Sequence, residues 1–137
     1  MYTIEWSENT AATAPRLQTT TAATVQEVDE LIDRLHGEFL GRDPVLVTVT
    51  LDHTGDSLAI GLGAARSILN YVSGSRDPPY FTSVGELRSN ELVSFVFGGE
   101  WSELPIRHTI PVDTARKVLS HFCETGKLSD DIGWEAD

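Results

Sequence analysis

The residue types in this chain that could do chemistry are few and scattered. Asp52, His53 and Asp56 cluster in one short stretch and could in principle ligate a metal. Asp, Thr and Gly are also what a hairpin loop needs for turn geometry alone, and that is the reading adopted. His36, His108 and His121 fall on other elements, and the four histidines share no ligand spacing. Cys123 lies on the apolar stripe of a predicted helix, where a thiol behaves as a small hydrophobe rather than a nucleophile. Gly61, Gly63 and Arg66 superficially suggest a phosphate loop. The third glycine of a dinucleotide fingerprint is missing and no amphipathic helix starts there, so tight-turn glycines are expected. Carboxylates abound, and no pair stands out as the acid and base of a glycosidase. The expectation is a protein without catalytic residues, metal or cofactor. The alternative is a small hydrolase or transferase using His53 or His108 with nearby carboxylates, which should show a deep pocket with convergent polar groups.

The elements that must position these residues follow from periodicity. Residues 2–6 alternate weakly and read as a first strand; 7–23, rich in Thr and Ala, read as a surface loop with a short strand around 16–20. Thr24 and Glu27 have capping-box spacing. Val25, Val28, Leu31, Ile32 and Leu35 then form one apolar stripe, with Glu30 and Arg34 as an i,i+4 pair. Gly37 or Gly41 should end this helix. Residues 45–51 and 57–62 alternate as a hairpin, and 67–72 read as a third strand. A loop is expected over 73–90. A second hairpin is expected from 92–97 and 106–110, with its tip over 98–105. The last helix is read from an Asp113 cap through Ala115, Val118, Leu119, Phe122 and Cys123 to Gly126, and an acidic tail follows. Short links between strands favour an α+β fold over a doubly wound one: a mostly antiparallel sheet with two main helices, in a single domain spanning 1–137.

Charge restricts the function classes. The chain carries 21 Asp+Glu against 10 Lys+Arg in 137 residues, a net of −11. Nucleic acid and anionic membranes would repel such a surface, whereas a basic protein would be steered toward it. One cysteine excludes an internal disulfide, no segment approaches a membrane span, and no signal-peptide pattern opens the chain. A cytoplasmic location is expected.

Large aromatic and acidic residues on presumed loops are the best candidates for an interface. Glu100, Trp101 and Glu103 occupy the expected tip of the second hairpin. Asp130, Asp131, Trp134 and Glu135 lie in the tail, and Tyr80 follows a proline pair. A ring offers burial, and surrounding carboxylates offer steering and specificity. For both tryptophans the competing possibility is that they fold back onto the core.

The run Leu58, Ala59, Ile60, Gly61, Leu62, Gly63, followed by Leu69, Tyr71, Pro79 and Tyr80, resembles immunity family one of bacterial polymorphic toxin systems. So do Val93 to Phe97 with Gly98, the stretch from Pro105 to Pro111, and the last helix to Phe122, Gly126, Leu128 and Trp134. The resemblance covers roughly residues 45–135. It implies a small cytosolic protein that binds and inactivates a cognate toxin, often of the deaminase superfamily and otherwise a nuclease. Such toxins handle nucleic acid and usually carry a basic groove, which an acidic inhibitor can cover. The shared positions read as turns and core, so no binding residue carries over from the family. A generic adaptor domain is the remaining reading, and a toxin gene immediately upstream would argue against it.

Overall fold

The computed structural model describes residues 1–8 and 16–137. In chain order the elements are β1 (Tyr2–Glu8), β2 (Arg16–Ala22), α1 (Val25–Phe39), β3 (Val45–Leu51), β4 (Ser57–Leu62), β5 (Arg66–Ser67), β6 (Leu69–Val72) and β7 (Phe81–Val84). They continue with β8 (Leu92–Phe97), β9 (Glu100–Pro105), a 3-10 turn at Ile106–His108, β10 (Ile110–Pro111), α2 (Val112–Thr125) and β11 (Gly133–Ala136).

Strict alternation in the β3–β4 hairpin creates the two faces around which everything else is arranged. Val45, Val47, Val49, Leu51, Leu58, Ile60 and Leu62 are fully buried on one face. They meet Val28, Ile32, Leu35 and Phe39 of α1, and Ala115, Val118, Leu119, Phe122 and Cys123 of α2. Both helices thus bury their apolar stripes on the same side of one sheet. Among the described residues that sheet runs β11-β7-β6-β4-β3-β1-β2, antiparallel throughout, with the β8–β9 hairpin branching from β3. β1 pairs with 48–51 of β3, which leaves the first residue of β3 to a parallel bridge between Val45 and Val96 of β8. The fold is α+β and mostly antiparallel, as the short links require.

The cap at Thr24 forms as expected, with its hydroxyl accepting from the Glu27 N–H at 3.1 Å. The Glu27 carboxylate accepts from the Ala23 N–H at 2.8 Å. Several expectations are corrected. Helix α1 runs through Gly37 to Phe39, so of the two expected glycines it is Gly41, at a left-handed φ of 80° just past the Leu40 cap, that marks its end. Burying the Phe39 ring, about 1.5–3 kcal/mol, outweighs the ~1 kcal/mol that a helical glycine costs. Glu30 does not pair with Arg34; it accepts instead from Gln26. In α2 Pro111, not Asp113, holds the cap position, and Asp113 lies in the first turn, where its charge suits the helix dipole. Gly126, at φ 73°, ends α2 as expected.

The expected loop over 7–23 is largely strand where it is described, with β1 and β2 paired from Tyr2↔Ala22 to Glu8↔Arg16; its residues 9–15 lie outside the described residues. The 67–72 strand is two strands, β5 and β6, and the 73–90 loop contains β7. The second hairpin has a different partner strand. Gly98 and Gly99, at φ 61° and 80°, make a two-residue reversal, so the return strand starts at once with Glu100. Two successive positive-φ residues are the turn that matches strand twist, and glycine adopts it without strain. Residues 106–110 then form the 3-10 turn and the start of β10, which pairs with β5. The tail is not free: β11 pairs with β7 from Gly133↔Val84 to Ala136↔Phe81.

Candidate functional site

The sheet face away from the helices is only partly covered. Phe95 of β8 lies over Gly61, where an added Cβ would come within 2.7 Å of its ring, and joins Leu46 and Ile68 in a second, smaller core. Val93 and Leu104 pack against that core, so the hairpin folds over one side of the face. Beyond it a groove of about 550 Å³ stays open. Leu46, Ala59 and Val72 are among its floor residues, and Phe97, Ser102 and Leu104 line it from the hairpin.

Register assigns the hairpin side chains to two faces, because cross-strand partners point the same way. Glu100 is opposite Phe97, and Ser102 is opposite Phe95, so Glu100 shares the groove side. Trp101 is opposite Val96 and belongs with Glu103 on the other side. Trp101 is 48% exposed, Phe97 51% and Leu92 56%. These are the large apolar side chains of the hairpin that the core does not absorb, and β9 pairs with β8 alone among the described residues.

The tail candidates divide differently. Trp134 folds back: it packs against the main core and its indole N–H donates to the Ser129 carbonyl at 2.9 Å. Glu135 is clamped by Arg107 in a two-pronged ion pair, one arm of which measures 3.2 Å. That guanidinium holds the Glu135 carboxyl below the usual carboxylate range, so the residue is a fixed, neutralised pair rather than a free acid. Asp130 and Asp131 are exposed, and Asp131 borders a separate depression beside α2. Tyr80 is half-buried and its hydroxyl donates to the Arg76 carbonyl at 2.8 Å, which closes its own loop. The eight candidates therefore do not converge: Glu100, Trp101 and Glu103 share β9, Trp134 and Glu135 share β11, and the other three lie in loops.

The groups with catalytic potential are occupied or isolated. His53 is exposed in the β3–β4 turn, where Asp52 accepts from Thr3 and Asp56 from the Gly74 N–H. His108 is buried, with Nδ1 at 2.9 Å from the Ser83 carbonyl, while the Ser83 hydroxyl donates to the His108 carbonyl. No group of three or more metal-ligating side chains occurs among the described residues. The N–H of Gly63 is taken by His36 Nδ1 at 3.0 Å, and Arg66 is spent on Thr109 and Glu86, so this turn offers nothing to a phosphate.

Cys123 is buried, and desolvation, helped by the nearby Glu124 charge, pushes its thiol up to about 12. The thiol stabilises the fold only while protonated. That contribution is complete below the ordinary value of 9.0 and declines as pH rises from there toward 12. At pH 8 an alkylating reagent should therefore leave Cys123 of the native protein unmodified and label it rapidly in denaturant. Fast labelling without unfolding would contradict the packing role.

The family model for immunity protein Imm1 matches residues 17–136, from β2 through β11. The chain belongs to the Imm1 family. A comparison with curated proteins found no match. Imm1 membership gives the chain a toxin-neutralising role and places it among non-catalytic proteins, which overturns the hydrolase or transferase alternative. It also accounts for what the motif residues are. Gly61 and Gly63 are the points where Phe95 and Phe39 press against the backbone, with contacts of 2.7 and 2.6 Å awaiting any added Cβ. The Imm1-like pattern is thus a packing pattern, and the contact surface has to be sought among side chains that the pattern leaves out. No helix among the described residues is long and apolar enough to cross a membrane.

Sequence reasoning missed Phe97, Arg76 and Asp137, all of which border the groove. Phe97 carried a signal in retrospect: a large ring immediately before two glycines is held at a hairpin end, where few neighbours can cover it.

Proposed function

We propose that this protein neutralises a toxin acting on nucleic acid, of the deaminase class, by seating an acidic, aromatic-bearing surface over the toxin's basic substrate groove. The observation that carries the reading is Trp101, half-exposed on an open strand with Glu100 and Glu103 beside it in sequence. An indole left in water by the free protein is energetically suited to a partner's pocket. The net charge of −11 supplies the long-range attraction to a cationic groove and disfavours direct binding to nucleic acid. Asp130 and Asp131, exposed before β11, add to the overall negative charge. Trp134 and Glu135 act through the fold that presents it, since one is packed and the other is paired. The deaminase class rests on the family resemblance and the partner's basic surface on charge complementarity.

Charge reversal tests the reading. In the Glu100→Lys/Glu103→Lys double variant, association with the cognate toxin domain should slow by about tenfold at low salt, with dissociation changing far less. The difference should shrink as salt rises, because the Debye length falls to about 8 Å at physiological ionic strength. Association that ignores both the substitutions and the salt would make the charge a matter of solubility alone.

A further inference from the structure

The groove beneath the hairpin has the shape and lining of a second contact site, and the toxin-binding reading assigns it no role. Its apolar floor and its wall from Phe97 and Leu104 would take an aliphatic or aromatic side chain. One charge on its border is set in place. Asp137 is held by the Thr82 hydroxyl at 2.9 Å and by Asn70 at 3.4 Å, so its carboxylate meets a ligand with little further ordering. Glu100 lies on the groove side of the hairpin by register. Arg76 also lines the groove. Arg66, Arg107 and Arg116 each lie within 4 Å of a carboxylate. Among the described residues Arg76 has no such partner; its side chain approaches the Ser57 hydroxyl at 3.5 Å. Its guanidinium is therefore available to a backbone carbonyl. An apolar lining that also carries a guanidinium donor and one fixed carboxylate fits a stretch of polypeptide. A second copy of this chain is disfavoured as the occupant, since each copy brings a net charge of −11.

We propose that the groove receives an extended segment of the toxin in which an apolar side chain sits beside a lysine or arginine. The apolar side chain lies on the floor, the cation reaches Asp137 and Glu100, and Arg76 holds a carbonyl of the segment. With Trp101 engaged on its other face, the β8–β9 hairpin is gripped from both sides. This inference rests on the toxin-binding reading.

The test uses the full chain and a catalytically inactivated cognate toxin domain. Ser102→Trp fills the groove from the hairpin wall and should weaken binding at least tenfold, while circular dichroism and thermal midpoint stay as in the parent. Asp137→Asn should weaken binding several-fold and flatten its salt dependence. A benzophenone side chain in place of the exposed Phe97 should cross-link on illumination to a toxin peptide in which an apolar residue adjoins Lys or Arg. The cross-link decides the matter even where Ser102→Trp perturbs folding. A folded Ser102→Trp protein that binds like the parent would overturn the groove site. So would a position 97 that captures no toxin, or captures a segment without that pairing. Failure of the unmodified protein to bind the toxin would overturn the toxin-binding reading itself, an outcome distinct from these.

Discussion

Phe122→Ala is expected to lower the unfolding free energy by about 3–5 kcal/mol. Phe122 is fully buried at the centre of α2's apolar stripe and meets Tyr71 of β6 edge-on, with ring centroids 6.1 Å apart. Removing the ring loses the transfer free energy of its carbons and leaves a cavity that two helices and a sheet cannot close. Domains of this kind have only ~5–15 kcal/mol of total stability, so the variant should unfold at markedly lower urea concentration and temperature. Toxin protection should fall through loss of folded protein. At a temperature where the variant is folded, its affinity for the toxin should match that of the parent. A urea midpoint near that of the parent would mean that α2 is not seated on the sheet as described.

Trp101→Ala is expected to do the converse. The side chain is 48% exposed and contributes little to the core, so stability should change by no more than about 0.5 kcal/mol. Binding should lose about 2 kcal/mol or more, roughly 30-fold in Kd, almost all of it as faster dissociation. The reason is that the free protein already exposes the ring, so its burial is gained only in the complex. Surface plasmon resonance on parent and variant, with urea unfolding alongside, separates the two quantities. Normal dissociation from a normally folded variant would move the anchor away from this face of the hairpin.

These two residues also show what could be read from the sequence. Phe122 was legible because a helix repeats its buried positions at 3.6-residue spacing, and Val118, Leu119 and Cys123 complete the stripe. The β3–β4 hairpin was legible for the same reason at a period of two. Trp101 was picked out by residue type, but its strand was not, because Glu, Ser and Pro around it look like turn chemistry. Only the paired positive-φ glycines before it restart the chain as β9. The strand in the tail was not legible for a different reason. Its order comes from partners far away along the chain: Glu135 is held by Arg107, 28 residues earlier, and Asp137 by Thr82, 55 residues earlier. No local pattern encodes such pairs. The groove was invisible on the same grounds, since its floor and wall come from hairpins whose relative placement depends on Phe95 packing on Gly61.

The most direct test of the account is a titration of the toxin's activity on its nucleic-acid substrate with this protein. The account predicts complete inhibition at one equivalent, relieved by raising the substrate concentration, because protein and nucleic acid compete for one basic groove. Inhibition that is indifferent to substrate concentration, from a complex that still binds nucleic acid as tightly as the free toxin, would contradict it.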